Sequence, residues 1–421
     1  MLTATQLLLE VLISLGLHVL TEFPALILQH VKKQKYKTNF STSHSLIGLA
    51  IPFPHTILLT ISSHPHNKMP SSSHQSGPIP CLTLYVLVAL TFISSLDVVH
   101  CGSSKQKPNV VDAHLLTEKI HSNRTIKVCQ DGKGEFTSIQ AAIDSIPEGN
   151  KDWVTVHVRK GVYREKVTIP PKKPFIYIRG NGKGRTAIAW SQSSTNNTES
   201  ATLKIQAPNV VVFGLSIKNE APTGIPFSSQ NQSVAVLAGA DMIAFYHCAF
   251  FSTHNTLFDY KGRHYYDTCY IQGSIDFIFG RARSLYHMCE IFVIEDKKVE
   301  IHGSITAQSR ESLKENSGFV FQYGRVYGMG HVYLGRAKGA FSRVVFANSY
   351  LSNTIVPEGW SLWRYDDGGT QDLFQAEYKC HGPGATTEKR ANWSKQLTEK
   401  EVGAFLTIDY IDGKEWLPAW I

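Results

Sequence analysis

The feature that most constrains what this chain can fold into is a short frame that keeps returning. An aromatic residue, two further residues, a cysteine, one residue and an apolar residue recur as Phe245-Tyr246-His247-Cys248-Ala249-Phe250, Tyr266-Asp267-Thr268-Cys269-Tyr270-Ile271 and Tyr286-His287-Met288-Cys289-Glu290-Ile291. The cysteines stand 21 and 20 residues apart, and the frame returns with a small residue in the cysteine's place at Phe321 to Val326 (Gly324) and at Phe346 to Leu351 (Ser349). A period of roughly 20 to 35 residues with one short strand run per period indicates a solenoid, because no coil can bury its apolar side alone and each must stack on its neighbours. The expected fold is therefore all-β, a parallel β-helix. Stacked inward cysteines are then ordinary small core residues, with a disulfide between neighbours left open. A metal site is not expected, since no Cys-x-x-Cys pair or His set has ligand spacing.

From Val128 onward the chain shows short β-rich runs separated by Gly, Asn, Asp and Ser, among them Thr155 to Arg159, Phe175 to Arg179 and Val210 to Ile217. Ile139, Ala142, Ile143 and Ile146 interrupt them at helical spacing and predict a short N-terminal helix over Ser138 to Ile146, placed to cap one end of a sheet. The tail from Glu388 has Trp393, Leu397, Val402, Phe405 and Leu406 at mixed helical spacing and then Trp416-Leu417-Pro418-Ala419-Trp420, predicting a helical and aromatic segment packed back on the solenoid. With 43% hydrophobic and 18% charged residues in 421, the chain has material for a large core and too little charge for disorder. Lys plus Arg outnumber Asp plus Glu by 42 to 34, a diffuse basic excess that fits a polyanion of low charge density. No Lys/Arg run interleaved with aromatics is present, so nucleic acid is not an expected partner.

The first hundred residues read differently. Apolar stretches within 1–61 are broken by Glu10, Glu22, Pro52 and Pro54 before they reach the length of a membrane span. From Met69 a polar lead precedes the apolar run Leu82 to Ile93, then Ser94, Ser95 and a stretch ending near Cys101-Gly102-Ser103, which is signal-peptide architecture with a membrane anchor as the alternative. The expected division is thus an extension over 1–68 outside the mature protein, with translation starting at Met69, a signal peptide or anchor over 69–101, a linker over 102–127 and a β-helix domain over 128–421. A secreted chain also gives meaning to the glycosylation tripeptides that begin at Asn123, Asn196, Asn231 and Asn392.

Chemistry is signalled where a charge interrupts an apolar strand. Asp276 stands in Gly273-Ser274-Ile275-Asp276-Phe277-Ile278-Phe279-Gly280, and a carboxylate among such neighbours costs several kcal/mol unless it meets a cation or donors. Arg336, in Tyr333-Leu334-Gly335-Arg336-Ala337-Lys338, is the candidate partner some two coils on, either as a structural ion pair or as part of a site.

Six ordered motifs then make a resemblance specific: Asp131 to Pro147 (DGKGEFTSIQAAIDSIP), Gly161-Val162-Tyr163-Arg164-Glu165, Gln232-Ser233-Val234-Ala235-Val236, Ile275 to Gly280, Ile305-Thr306-Ala307-Gln308 and Leu334-Gly335-Arg336. In this order they resemble plant pectinesterases (pectin methylesterases) over roughly Val128 to the C-terminus, in the shorter form without the inhibitor-like pro-domain. The resemblance implies a right-handed parallel β-helix that removes methyl esters from galacturonate in homogalacturonan, releasing methanol, with no metal or other cofactor. It implies a monomer in the cell wall, with pectin and a proteinaceous pectinesterase inhibitor as partners. By the same resemblance Asp276 matches the nucleophile and Arg336 the guanidinium that orients it. Gln232 matches a glutamine that donates to the oxyanion, and Thr202 a substrate-contacting threonine.

Two motifs depart from the family. Gln-Asp-Thr-Leu is usual where this chain has His254-Asn255-Thr256-Leu257, so a second oxyanion donor and the general acid are replaced. Histidine transfers protons near neutral pH and an asparagine amide donates as glutamine does, so the two roles can sit here in the opposite order. The family's Leu-Gly-Arg-Pro-Trp is Leu334-Gly335-Arg336-Ala337-Lys338, exchanging a sugar-stacking ring for a cation able to pair with a free galacturonate carboxylate. Two functions fit these substitutions: an esterase with rearranged acid/base groups, or a pectin-binding wall protein without activity. A glycosidase on the same solenoid would need two flanking carboxylates, and one strong candidate is visible.

Overall fold

The computed structural model describes residues 111–222, 232–295, 303–362 and 369–420. The expectations for 1–68 and 69–101, and the tripeptide asparagine at position 231, lie outside them. The described residues wind through three parallel sheets, one of eleven strands and two of eight. Ile243–Tyr246 lies in the eleven-stranded first sheet, Ala249–Phe251 in the second and Leu257–Asp259 in the third, and Arg263–Asp267 returns to the first sheet one coil on. This is the expected parallel β-helix.

The recurring frame is the corner between the first and second sheets. The residue before the small position is left-handed in every coil, with φ of 52° at His247, 51° at Thr268 and Met288, 55° at Tyr323 and 49° at Asn348. The chain turns in that one residue and points the next side chain into the core, where space is short: a Cβ at Gly324 would lie 2.5 Å from the Cys289 carbonyl oxygen. The frame's first aromatics are ladder partners, Phe245, Tyr266, Tyr286, Phe321 and Phe346. Their rings stack at 5.3, 4.5, 4.3 and 4.4 Å with interplanar angles of 11° or less. Burying each ring contributes about 1.5–3 kcal/mol, and each ring pair adds ~0.5–1.5 kcal/mol beyond area. Cys248, Cys269 and Cys289 are buried and free, so the disulfide left open by the sequence is not formed. Their thiols donate to the carbonyls of Val212, Phe245 and Tyr266, and burial pushes the Cys248 and Cys269 thiols well above their usual range, which makes them unreactive. The run Val210 to Ile217 is two strands, Val210–Phe213 and Ser216–Asn219, because it turns this same corner at Gly214.

The predicted helix forms over Ile139–Asp144, and its ends are held by the following coils. The Glu165 carboxylate accepts from Ser138 Oγ (2.7 Å) and the backbone N–H groups of Ile139 (2.8 Å) and Gln140 (2.9 Å), while Lys173 Nζ donates to the Ile143 (3.0 Å) and Asp144 (2.8 Å) carbonyls. An anion at the N-terminus and a cation at the C-terminus satisfy the groups a helix leaves unpaired and match its dipole. The glutamate of Gly161–Glu165 is thus a cap.

The linker expected over 102–127 is corrected where it is described. Asp112 caps a helix over Ala113–Ile120, whose Leu116 and Ile120 are buried on the outer face of the first sheet, and Arg124–Val128 is that sheet's first strand, paired with Val154–Val158. A two-turn helix with two buried apolar side chains leaves too little periodicity to read. The tail follows expectation more closely: Val402, Ile408, Ile411, Leu417 and Ala419 bury against the same face, and Tyr246 donates to the Ala419 carbonyl at 2.6 Å. Trp420 stays 43% exposed, so the aromatic strip packs only in part. Near the C-terminal end Arg390 grips Glu377 with two bonds, of 2.8 and 3.1 Å, both side chains almost fully buried.

Candidate active site

The site lies along the third sheet, where the chain enters it from the second. His254 bridges to Ile275, Leu257 pairs with Ile278, Ile278 with Thr306, and Ser304 with Tyr333. Counting along this register puts Asn255, Asp276, Ser304 and Tyr333 side by side on consecutive coils. Asn255 and Asp276 are both left-handed, with φ of 58° and 46°. Asn and Asp tolerate that region best among residues with a Cβ, and the cost of about 1–3 kcal/mol at such positions is typical of functional sites.

Asp276 is 7% exposed, and both its oxygens are held. Ser304 Oγ donates to Oδ1 and Arg336 Nη2 to Oδ2. The sequence pairing of Asp276 with Arg336 is therefore present, across 60 residues of chain. Arg336 lies on Val332–Ala337, and the glycine before it is required by close approach: a Cβ at Gly335 would stand 2.3 Å from Thr306 Oγ1 and 3.0 Å from the Trp360 ring. Ser304 escapes motif reading; the signal that identifies it is register, one coil after Asp276.

The remaining expected residues divide. Gln232 is tied by its backbone to Ser194, with N–O distances of 3.0 and 3.1 Å, and its side-chain Oε1 is buried with no hydrogen-bond partner among the described residues. Asn255 Nδ2 donates to Asn197 Oδ1 at 3.4 Å. His254 directly precedes it and is 6% exposed. Lys338 is exposed just past the Arg336 strand and lines an open pocket of about 320 Å³ with Asn197, Phe258, Tyr260, Phe279 and Arg281. The rings of Phe258 and Phe279 are parallel within 9° at 4.5 Å and form an apolar floor beside Lys338. Thr202 is not brought to this surface. It is fully buried and its hydroxyl donates to the Lys218 carbonyl at 3.1 Å, because it falls in the inward-facing row with Ala235 and Phe277. The expected substrate contact at Thr202 is corrected to a wall position.

A second polar cluster looks catalytic by composition and is not placed for it. Asp259 accepts from His264 Nδ1 (2.5 Å), Tyr266 OH (2.8 Å), Ser284 Oγ (2.5 Å) and Tyr286 OH (2.7 Å), with all five residues fully buried. Substrate has no access there, and the cluster acts as a satisfied polar knot inside the coil. Among the described residues no three His, Cys, Asp or Glu side chains come together to hold a metal ion.

The site is thus a carboxylate fixed by a serine and an arginine on one sheet of a β-solenoid, with an asparagine beside it on the preceding coil. Residues 125–414 match the family model described as Pectinesterase. The chain is 60% identical over 348 residues to probable pectinesterase 67 of Arabidopsis thaliana, covering 83% of this chain and 98% of that protein. It is 44% identical over 294 residues to putative pectinesterase 11 of the same plant, covering 69% and 80%. Among solved structures it superimposes on a pectin methylesterase from carrot with a TM-score of 0.65 at 29% identity, covering 70% of this chain and 95% of that one. With the pectin methylesterase of Aspergillus niger the TM-score is 0.60 at 25% identity, covering 69% and 94%. The chain belongs to the pectinesterase family.

Proposed function

We propose that Asp276 is the nucleophile with which this pectinesterase hydrolyses the methyl esters of galacturonate in homogalacturonan. The observation that carries the reading is the carboxylate held at both oxygens by Ser304 and Arg336, where the chain enters the third sheet. An Asp276 oxygen attacks the ester carbonyl carbon, and the tetrahedral oxyanion is met by the Gln232 and Asn255 amides. The bond to the methoxy oxygen breaks, the leaving oxygen takes a proton and departs as methanol, and an acyl anhydride remains on Asp276. Water then attacks that anhydride, giving up a proton and freeing galacturonate and the carboxylate. His254 supplies the proton in the first half and takes it in the second, the role a carboxylate has at the neighbouring position in relatives.

The supporting geometry is that His254 bridges to Ile275 on the next coil, a register that sets Asn255 beside Asp276. Lys338 and the Phe258–Phe279 floor extend the groove and suit a chain that carries free carboxylates. The apolar run Leu82 to Ile93 supports export to the cell wall. The groove is the surface a proteinaceous inhibitor would have to cover, and the protein acts as a monomer in this reading.

Methanol release from methylated pectin by the purified protein tests the reading. Asp276→Asn should lower it by at least roughly 10³-fold, and His254→Gln should also remove it. His254→Gln with Asn255→Asp should restore it. Residual activity of Asp276→Asn within about tenfold of the parent rejects Asp276 as the nucleophile. A parent without activity beside an active double variant makes the chain a pectin-binding protein.

A further inference from the structure

We propose that Asn196 carries an N-linked glycan that forms one rim of the groove, an inference that rests on the export reading above. Asn196-Asn197-Thr198 is an acceptor tripeptide, and Asn196 is exposed. Its conformation suits modification. The carboxamide oxygen accepts from the Thr198 backbone N–H at 2.9 Å and from the Thr198 hydroxyl, so the oxygen is turned back on its own chain while no described hydrogen bond engages Nδ2. The other tripeptides with a described asparagine differ. Ser394 of Asn392-Trp393-Ser394 donates instead to the Ala391 carbonyl, and Asn123-Arg124-Thr125 runs into the first strand.

The location gives the glycan its consequence. Two residues before Asn196, Ser194 exchanges both backbone hydrogen bonds with Gln232, and one residue after it Asn197 accepts from Asn255 and lines the pocket that holds Lys338. Asn196 therefore sits between two residues that touch the site, on the outer side of the wall they make. In the transfer step Asn196 Nδ2 attacks the anomeric carbon of a lipid-linked oligosaccharide. The carbon–nitrogen bond forms, the bond to the polyprenyl diphosphate breaks with its electron pair, and the amide gives up one proton. The resulting hydrophilic antenna narrows the approach of a long polymer and leaves short oligomers unhindered.

The test expresses the full chain in a secretory host that makes high-mannose glycans and examines the protein recovered from the medium by peptide mass. The expected result is a glycan on the peptide containing Asn196, lost in Asn196→Gln. Trimming the glycoprotein to its first sugar, with no change of sequence, should lower KM for polymeric pectin about twofold or more, because less chain freedom is lost on binding, and should leave KM for short methylated oligomers unchanged. An unmodified Asn196 in secreted protein overturns the proposal, and equal polymer KM before and after trimming overturns the rim role. A chain that stays in the cytosol refutes the export reading instead. The site is then decided by translating the full chain behind a cleavable signal into microsomes, where an unmodified Asn196 again overturns it.

Discussion

Ser304→Ala isolates the one contact at Asp276, the proposed nucleophile, that no motif signals. Ser304 is 1% exposed and spends its hydroxyl on Asp276 Oδ1, opposite the Arg336 bond to Oδ2. A hydrogen bond to a charged acceptor is worth about 1.5–3 kcal/mol. At ~1.4 kcal/mol per tenfold, that corresponds to a loss of roughly 10- to 150-fold in kcat if the bond serves only to hold the attacking carboxylate. Asp276 has some solvent contact, so water recovers part of the bond and the lower end, about tenfold, is the expectation. KM should change little, because the hydroxyl is spent on the enzyme's own carboxylate. The assay is methanol release across pH, with thermal unfolding as the control for fold. A variant with kcat within twofold of the parent refutes the positioning role. A large fall in melting temperature would make Ser304 a packing residue.

The other perturbations test separate parts of the fold and groove. Arg390→Ala leaves Glu377 buried without its bidentate partner and should cost about 3–5 kcal/mol, lowering the calorimetric melting temperature by roughly 10 °C; a fall of under about 3 °C would show that the pair is not holding the C-terminal end. Burial alone would raise the pKa of Asp267, but hydrogen bonds from His287, Thr268 and Tyr265 outweigh it and hold the carboxyl below its ordinary value of 3.8. Its contribution is therefore present above that value and lost as pH falls through the folded-state pKa, so the urea-measured stability gap between the parent and Asp267→Asn should be open at pH ~6 and closing below pH ~4, and a gap that does not change with pH contradicts this. Lys338→Trp exchanges a cation for a stacking face beside Phe279, so calorimetry should show tighter binding of methylated oligomers and weaker binding of demethylated ones; movement of both in one direction contradicts it.

What was legible in the sequence is what repetition or an energetic penalty exposes. The frame around Cys248, Cys269 and Cys289 could be read because each coil meets the same problem at the same corner, a left-handed residue followed by a small side chain under a stacked ring. Asp276 could be read because a carboxylate beside Ile275 and Phe277 demands a partner, and Arg336 answered it. Direction in space was not legible in the same way. Thr202 matches a motif, but the alternation of its strand turns the hydroxyl inward to Lys218, and only the register with Ala235 shows this. Ser304 is an ordinary serine until the coil spacing sets it against Asp276. The pair His254-Asn255 joins both lessons. Position 255 must turn left-handed, as Asp276 does one coil on, and asparagine meets that demand as well as aspartate. Exchanging aspartate for asparagine there costs the backbone nothing while removing a proton carrier, so the fold tolerates the change and only the chemistry feels it. The neighbouring residue is a histidine, the side chain best suited to carry a proton near neutral pH, which is why His254→Gln is the substitution that separates an esterase with exchanged roles from a fold that has kept its shape and lost its reaction.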